Sequence, residues 1–240
     1  MSNSYDLTDK FAIVTGAAKG IGRAIAELLV INGCNVLIWD TSPANIEGAK
    51  SLLVDVTKSD QIEAAVDELP ANRDVDILVN NAGYLGKSTD FISHTLEEWH
   101  RIIQVNLLGT MTVTQAILPI MLRQKRGRII NLGSLAGKEG SPGITAYSAA
   151  SAGVISFTKA LSREVVQHGV FVNCVAPGPI DTDMLRDLGP DVVEQMIKDS
   201  PMRRLGSPSE VAHMVAWLCT DASRFNTGAV FDMSGGRARY

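Results

Sequence analysis

The chain has 240 residues, 45% of them hydrophobic, with 22 Lys and Arg against 26 Asp and Glu for a net charge of −4. That length suffices for a sizeable core, and an acidic chain without a basic block lacks the cationic stripe that nucleic-acid phosphates require. Three scattered cysteines (Cys34, Cys174, Cys219) form no disulfide framework and point to a reducing cytoplasm.

The opening MSNSYDLTDK has no apolar run, so no secretory signal is expected. Phe11 to Thr15 reads as a first strand, followed by a glycine turn and a helix over 20–32. Strands are expected at 35–40, 51–55, 75–80, 128–134, 169–177 and 228–233, each a short run rich in apolar and β-branched residues. The stretch from Thr41 to Lys50 is short for a full crossover helix and predicts a reduced or single-turn one. After the third strand, Ile62, Ala65, Val66 and Leu69 share one helix face, which Pro70 should stop. Residues 105–122 look membrane-like. Asn106, Gly109, Gln115 and Pro119 interrupt them, so they read as a buried or interface helix, and no membrane is expected. Continuous apolar strands alternating with helices imply a parallel sheet covered on both faces. The prediction is a single-domain α/β fold over 1–240, doubly wound and Rossmann-like, with seven strands.

The first strand runs into Thr15-Gly16-Ala17-Ala18-Lys19-Gly20-Ile21-Gly22. Glycines between a strand and a helix let the backbone approach a pyrophosphate seated on the helix N-terminus. Asp40 ends the second strand at about the twenty-residue interval such turns use, where a carboxylate binds ribose hydroxyls and repels a 2′-phosphate. That predicts NAD over NADP. Lys19 would favour the phosphate, but an anion facing an anion in a partly desolvated pocket outweighs one solvated lysine.

With these residues in place, the sequence resembles the short-chain dehydrogenase/reductase family over essentially its whole length. Gly16, Gly20 and Gly22 match that family's TGxxxGxG, and Asn80-Asn81-Ala82-Gly83 its NNAG motif. The resemblance implies cofactor contacts from Lys19 and Ile21, from Asp55 and Val56 after the third strand, and from Asn81, Ala82 and Gly83. It adds Pro177, Gly178, Ile180 and Thr182 at the nicotinamide carboxamide. The family's catalytic Asn, Ser and Tyr fall on Asn106, Ser134 and Tyr147 at its usual intervals. By that analogy Tyr147 takes the proton of the substrate hydroxyl and also contacts the cofactor, Ser134 orients the same oxygen, and Asn106, mid-helix, holds a water in a proton relay.

One position departs. The family's YxxxK reads Tyr147-Ser148-Ala149-Ala150-Ser151, with serine where a lysine would share a helix face with the tyrosine. A lysine there favours the phenolate, an effect worth about 3 to 4 kcal/mol of driving force if it lowers the pKa by roughly 2 to 3 units. A serine supplies no charge. Lys159 is three helical turns too far, and Lys138 lies in an expected loop after Ser134.

Residues 183–205 are where a substrate lid would fall, with Met184, Leu185, Leu188 and Met202 as apolar candidates. Tyr84, Leu85, Ser141 and Ile144 are further candidates to line the substrate site. Arg123, Lys125, Arg126 and Arg128 read as a solvated helix end, and the four histidines lack metal spacing, so no metal is expected. The apolar helices over 97–122 and 146–168 resemble the family's subunit-packing pair, which implies a homotetramer. The expectation is an NAD-dependent oxidoreductase for a secondary alcohol or ketone of polyol, sugar-acid or hydroxy-acid type, slowed by Ser151. The alternatives are a 3-oxoacyl reductase and a catalytically silent NAD-binding partner protein.

Overall fold

The computed structural model describes residues 5–69 and 74–240. Pro70, expected to stop the second helix, lies outside the described residues. Seven parallel strands form one sheet: β1 Phe11–Thr15, β2 Asn35–Asp40, β3 Ala49–Leu53, β4 Ile77–Asn80, β5 Gly127–Leu132, β6 Val170–Pro177 and β7 Val230–Met233. Their order across the sheet is β3-β2-β1-β4-β5-β6-β7, so the winding reverses between β1 and β4 and opens a crevice beyond their carboxyl ends. This is the Rossmann-like architecture predicted.

Successive strand residues point to opposite faces, and both faces are covered. On one face α1 (Gly20–Ile31) and α9 (Pro208–Leu218) press Ile25, Leu29, Val211 and Val215 onto Val14, Ile38, Val79 and Val175. The opposite face carries α2 (Ser59–Asp67), α4 (Thr110–Gln124) and α6 (Thr145–Val165), which set Ile62, Val113, Ile117, Met121 and Leu161 against Ile13, Leu37, Trp39, Leu78 and Ile129. Each such side chain contributes about 1.5–3 kcal/mol of burial free energy. In α1 the buried Gly22, Ile25, Ala26 and Leu29 follow the helical repeat. α9 begins with Pro208 behind a reciprocal Ser207–Glu210 capping box.

Several boundaries differ from expectation. β3 lies two residues earlier than predicted, and no helical turn joins it to β2; that link turns at Gly48, whose φ of +82° favours glycine. The predicted helix over 97–122 is α3 (Leu96–Ile103) and α4, joined by a π-helical segment over Gln104–Gly109. The run 96–124 is long and apolar enough to cross a membrane; 39% of its most apolar window is buried inside the protein, with Val113, Ile117 and Met121 against the sheet. Ser134, expected inside the fifth strand, instead caps α5 (Leu135–Glu139), and Lys138 therefore sits on a helix and not in a loop. The basic cluster is not merely solvated. Arg126 pairs with Asp74 and Asp76, while Arg128 pairs with Asp221 and lies 4.3 Å over Phe171.

Candidate active site

Beyond the carboxyl ends of β1 and β4 the glycine turn is closed by close approach. Gly16 and Gly20 have φ of +65° and +60°. A Cβ on Gly16 would fall 2.6 Å from the Ala82 Cα, and one on Gly22 would fall 2.2 Å from the Gly16 carbonyl oxygen. Asn81 holds this turn: its Nδ2 donates to the carbonyls of Gly16 at 2.7 Å and Thr15 at 3.1 Å. Thr15 Oγ1 in turn accepts from the backbone of Asn81 and Ala82 at 3.0 Å each.

A dinucleotide fits this cradle. Lys19 precedes α1 in extended conformation without a side-chain cap, so the first N–H groups of a twelve-residue helix have no capping side chain and suit a pyrophosphate. Ile21 lies in that first turn. The Lys19 side chain is exposed beside it. Asp40 sits at the turn's flank, where Oδ2 accepts from Ala18 N and Oδ1 from Ser42 N, both at 2.9 Å. Asp55 Oδ1 is engaged by the backbone and hydroxyl of Thr57, and buried Val56 packs beneath Gly109.

Gly178 donates its N–H to Met233 O and packs so tightly that a Cβ would lie 2.9 Å from Ser234. Pro177 ends β6 and Ile180 is buried. Thr182 caps the short α7 (Asp183–Arg186), with its methyl 3.6 Å from where a Gly20 Cβ would lie. The 177–182 segment thus meets the glycine turn at its open side.

Asn106 lies within the π-helical segment and not in a regular helix. Its Nδ2 donates to Tyr84 O at 2.7 Å and Ile102 O at 2.8 Å, and its Oδ1 accepts from Tyr84 N at 3.1 Å. The side chain staples the segment after Gly83 to the helix and uses both of its amide donors in doing so; its main-chain carbonyl accepts from Thr110 at 3.0 Å. A π segment at this place matches the occurrence of such bulges at functional sites.

Ser134 Oγ accepts from Ala136 N at 3.1 Å, which directs its own proton away from the cap. The hydroxyls of Ser134 and Ser151 lie near the Tyr147 phenol and both favour its charged form. Burial pushes the phenol above its ordinary value, and the two hydroxyls act in the opposite sense without cancelling it. No cation among the described residues acts on it: Lys138 is 2.9 Å from Asp232 and lies over Tyr240. Ser151 is buried and α5 crosses it so closely that a Gly137 Cβ would be 2.7 Å from its Cβ.

Of the substrate-side candidates, Tyr84 turns its hydroxyl to Glu98 at 2.8 Å and its ring under Arg101, and packs in the same apolar cluster as Tyr147; the Glu98 bond keeps its phenol above the usual range. Ile144 and Ser141 lie in the loop before Tyr147, with Ser141 N donating to Ser148 Oγ at 3.1 Å. Met184 and Met202 are exposed, and neither α7 nor α8 (Pro190–Asp199) buries a residue. Sequence reading missed the tail. Residues 234–240 pass from Gly178 along the end of α8, where Arg237 approaches Asp199 at 3.9 Å, to α5, where Arg239 N donates to Glu139. These contacts join residues far apart in the chain, and no local pattern marks them.

The fold and its crevice define a nucleotide-binding α/β oxidoreductase frame, and the comparisons with known proteins agree. The profile of the family described as Enoyl-(Acyl carrier protein) reductase matches residues 16–238. The 3-oxoacyl-[acyl-carrier-protein] reductase FabG of Chlamydia trachomatis is 40% identical over 245 residues, covering 97% of this chain and 98% of that protein. Its counterpart in Escherichia coli is 39% identical over 236 residues, covering 95% and 96%. The solved aldohexose dehydrogenase of Thermoplasma acidophilum superposes with a TM-score of 0.93 at 32% identity, covering 99% and 97%. The chain belongs to the short-chain dehydrogenase/reductase family and is an oxidoreductase of that family.

Proposed function

We propose that this chain binds NAD(H) and reduces the ketone of a 3-oxoacyl thioester, with the polyol or sugar-acid reaction expected from sequence as the second reading. The relatives near 40% identity carry 3-oxoacyl reductase names and favour the first; the aldohexose dehydrogenase likeness at 32% supports the second. Asp40 supports NAD over NADP in either case.

When bound, the nicotinamide supplies hydride chemistry at its C4. The chain's own residues do the rest. Gly16, Gly20, Gly22 and the first turn of α1 hold the pyrophosphate, Asp40 the adenosine ribose, and Pro177 to Thr182 the carboxamide end. Ser134 donates to the substrate carbonyl oxygen, and Tyr147 hands it a proton to complete the alcohol. In the reverse direction Tyr147 must first give up its own proton.

The observation that carries this reading is the Tyr147 phenol between two hydroxyls with no ammonium. It makes Tyr147 a protonated donor at neutral pH and a poor base. The same observation supports a catalytically silent NAD-binding partner. The reading includes a cytoplasmic homotetramer, and the exposed Leu108 and Met111 on the helix run 96–124 support a subunit interface there.

The test measures NADH and NADPH affinity, then turnover of an acetoacetyl thioester with NADH and of polyols with NAD, in the chain and in Ser151→Lys. NADH binding with thioester reduction supports the reading. Polyol oxidation alone selects the second, and binding without turnover in both chains selects the silent partner.

A further inference from the structure

Behind the candidate site runs a chain of buried polar side chains that the proposed chemistry does not use. Asn80 and Asn131 stand opposite each other in the β4–β5 register, and Asn80 Nδ2 donates to Asn131 Oδ1 at 2.8 Å and to Thr114 Oγ1 at 2.9 Å. Asn131 Nδ2 donates to Thr158 Oγ1 at 2.9 Å, and Thr158 donates onward to Val154 O at 2.8 Å. Asn131 and Thr158 are fully buried, and Thr114 nearly so. Each member sits on or next to the element that carries one site group: Asn80 ends β4 beside Asn81, Thr114 lies on the helix that follows the Asn106 segment, Asn131 lies on β5 three residues before Ser134, and Thr158 lies three turns beyond Tyr147 on α6.

We propose that Asn131 and Thr158 are positioning residues, whose buried hydrogen bond sets the spacing between the Ser134 hydroxyl and the Tyr147 phenol. This rests on the reading above only in treating Ser134 and Tyr147 as a working pair. Ile129 of β5 and Leu161 of α6 belong to the same apolar cluster, and apolar contact is non-directional and tolerates sliding. A buried hydrogen bond does not. Valine at 158 would fill the same volume with no polar group to satisfy. The Asn80 Oδ1 is buried with no partner among the described residues, a cost that a core selected for stability alone would avoid. Two turns nearer the helix N-terminus, on the same face of α6 as Thr158, α5 packs against Ser151 so closely that a Gly137 Cβ would lie 2.7 Å from its Cβ.

The experiment labels tyrosine rings with carbon-13 and follows their titration by NMR without cofactor or substrate. The chain has four tyrosines, and Tyr147→Phe assigns the one of interest. In folded Thr158→Val the Tyr147 midpoint should move to higher pH by about half a unit or more as the Ser134 contact loosens. Tyr5, Tyr84 and Tyr240 should stay in place, and Thr158→Ser should restore Tyr147. In the Ser151→Lys background Thr158→Val should also lower kcat roughly tenfold. An unchanged Tyr147 titration in folded Thr158→Val overturns the proposal. If that variant does not fold, the Asn131→Leu/Thr158→Val pair takes its place. Failure of both to fold makes the bond a stability element and overturns the proposal as well. A protein that never turns over but shows the Tyr147 shift refutes the proposed reaction while leaving this inference standing.

Discussion

The cofactor cradle and the catalytic floor are built on different principles. In the cradle, backbone sterics leave almost no freedom: two glycines adopt positive φ, a third abuts a carbonyl, and Asn81 fastens the turn. On the floor, geometry is set by side-chain hydroxyls, and chemistry depends on what charge stands beside one phenol. A single residue can therefore rewrite the floor's chemistry without disturbing its shape. The cradle answers to shape above all.

The largest expected effect is on the floor. Ser151→Lys restores a cation one turn from Tyr147 and should raise kcat by roughly 100- to 1,000-fold, read in stopped-flow or steady-state assays. An unchanged rate across thioester and polyol panels would mean the phenol is not what limits this chain.

Next comes the cradle. Gly22→Ala places a Cβ within 2.2 Å of the Gly16 oxygen and 2.3 Å of Asn81 Nδ2. Overpacking of this kind costs about 1–3 kcal/mol, so NADH affinity, measured by fluorescence titration, should fall roughly 5- to 150-fold. Asp40 would stay in place, and the preference for NADH over NADPH should survive the weaker binding.

The pH profile separates the two regions more finely. Burial raises the Tyr147 pKa. Ketone reduction, which needs the protonated phenol, should be flat through neutral pH and fall only above about pH 10. Alcohol oxidation should climb about tenfold per pH unit over the same range. The Tyr147 contribution to stability has the matching sign. The folded state holds that proton more tightly, so the contribution is intact below the unfolded pKa and is lost as pH rises through the folded one. In Ser151→Lys both breaks should move down, whereas changes in the cradle should leave them unmoved.

The smallest effect lies away from both. Ser207→Ala removes one half of the α9 capping box and should cost about 0.5–2 kcal/mol, seen as a modest fall in Tm with unaltered NADH affinity. Glu210, the other half, is held down to about 2 by Arg204 and Ser207, so its contribution persists above the ordinary carboxylate range and fades as pH falls toward 2.

What was legible in the sequence follows the same division. The glycine turn, Asp40 and the Asn81 motif could be read because close backbone approach admits few residue types. Tyr147, Ser134 and the missing lysine could be read only from the resemblance to the family's motifs. The helix-free link at Gly48 could not, since a ten-residue gap accommodates a helical turn or a loop equally well. Nor could the π segment around Asn106: shifting backbone hydrogen bonds by one residue leaves the side-chain pattern nearly intact. Ser134 was read as strand because its apolar neighbours continue past the point where β5 ends and α5 begins. The Asn131–Thr158 bond and the tail across α5 join residues distant in the chain, so local periodicity carries no trace of them.

The helices α7 and α8 bury no residue. Their sequence can therefore drift with little consequence for folding, while the buried strands β1, β2, β4, β5 and β6 and the glycine turn are constrained by packing. If the segment covers the substrate, as the sequence predicts, new substrates can be acquired there one exposed side chain at a time. A single frame can in this way be shared by proteins bearing acyl-reductase and sugar-dehydrogenase names, with the inventive part of the molecule kept apart from the part that must not change.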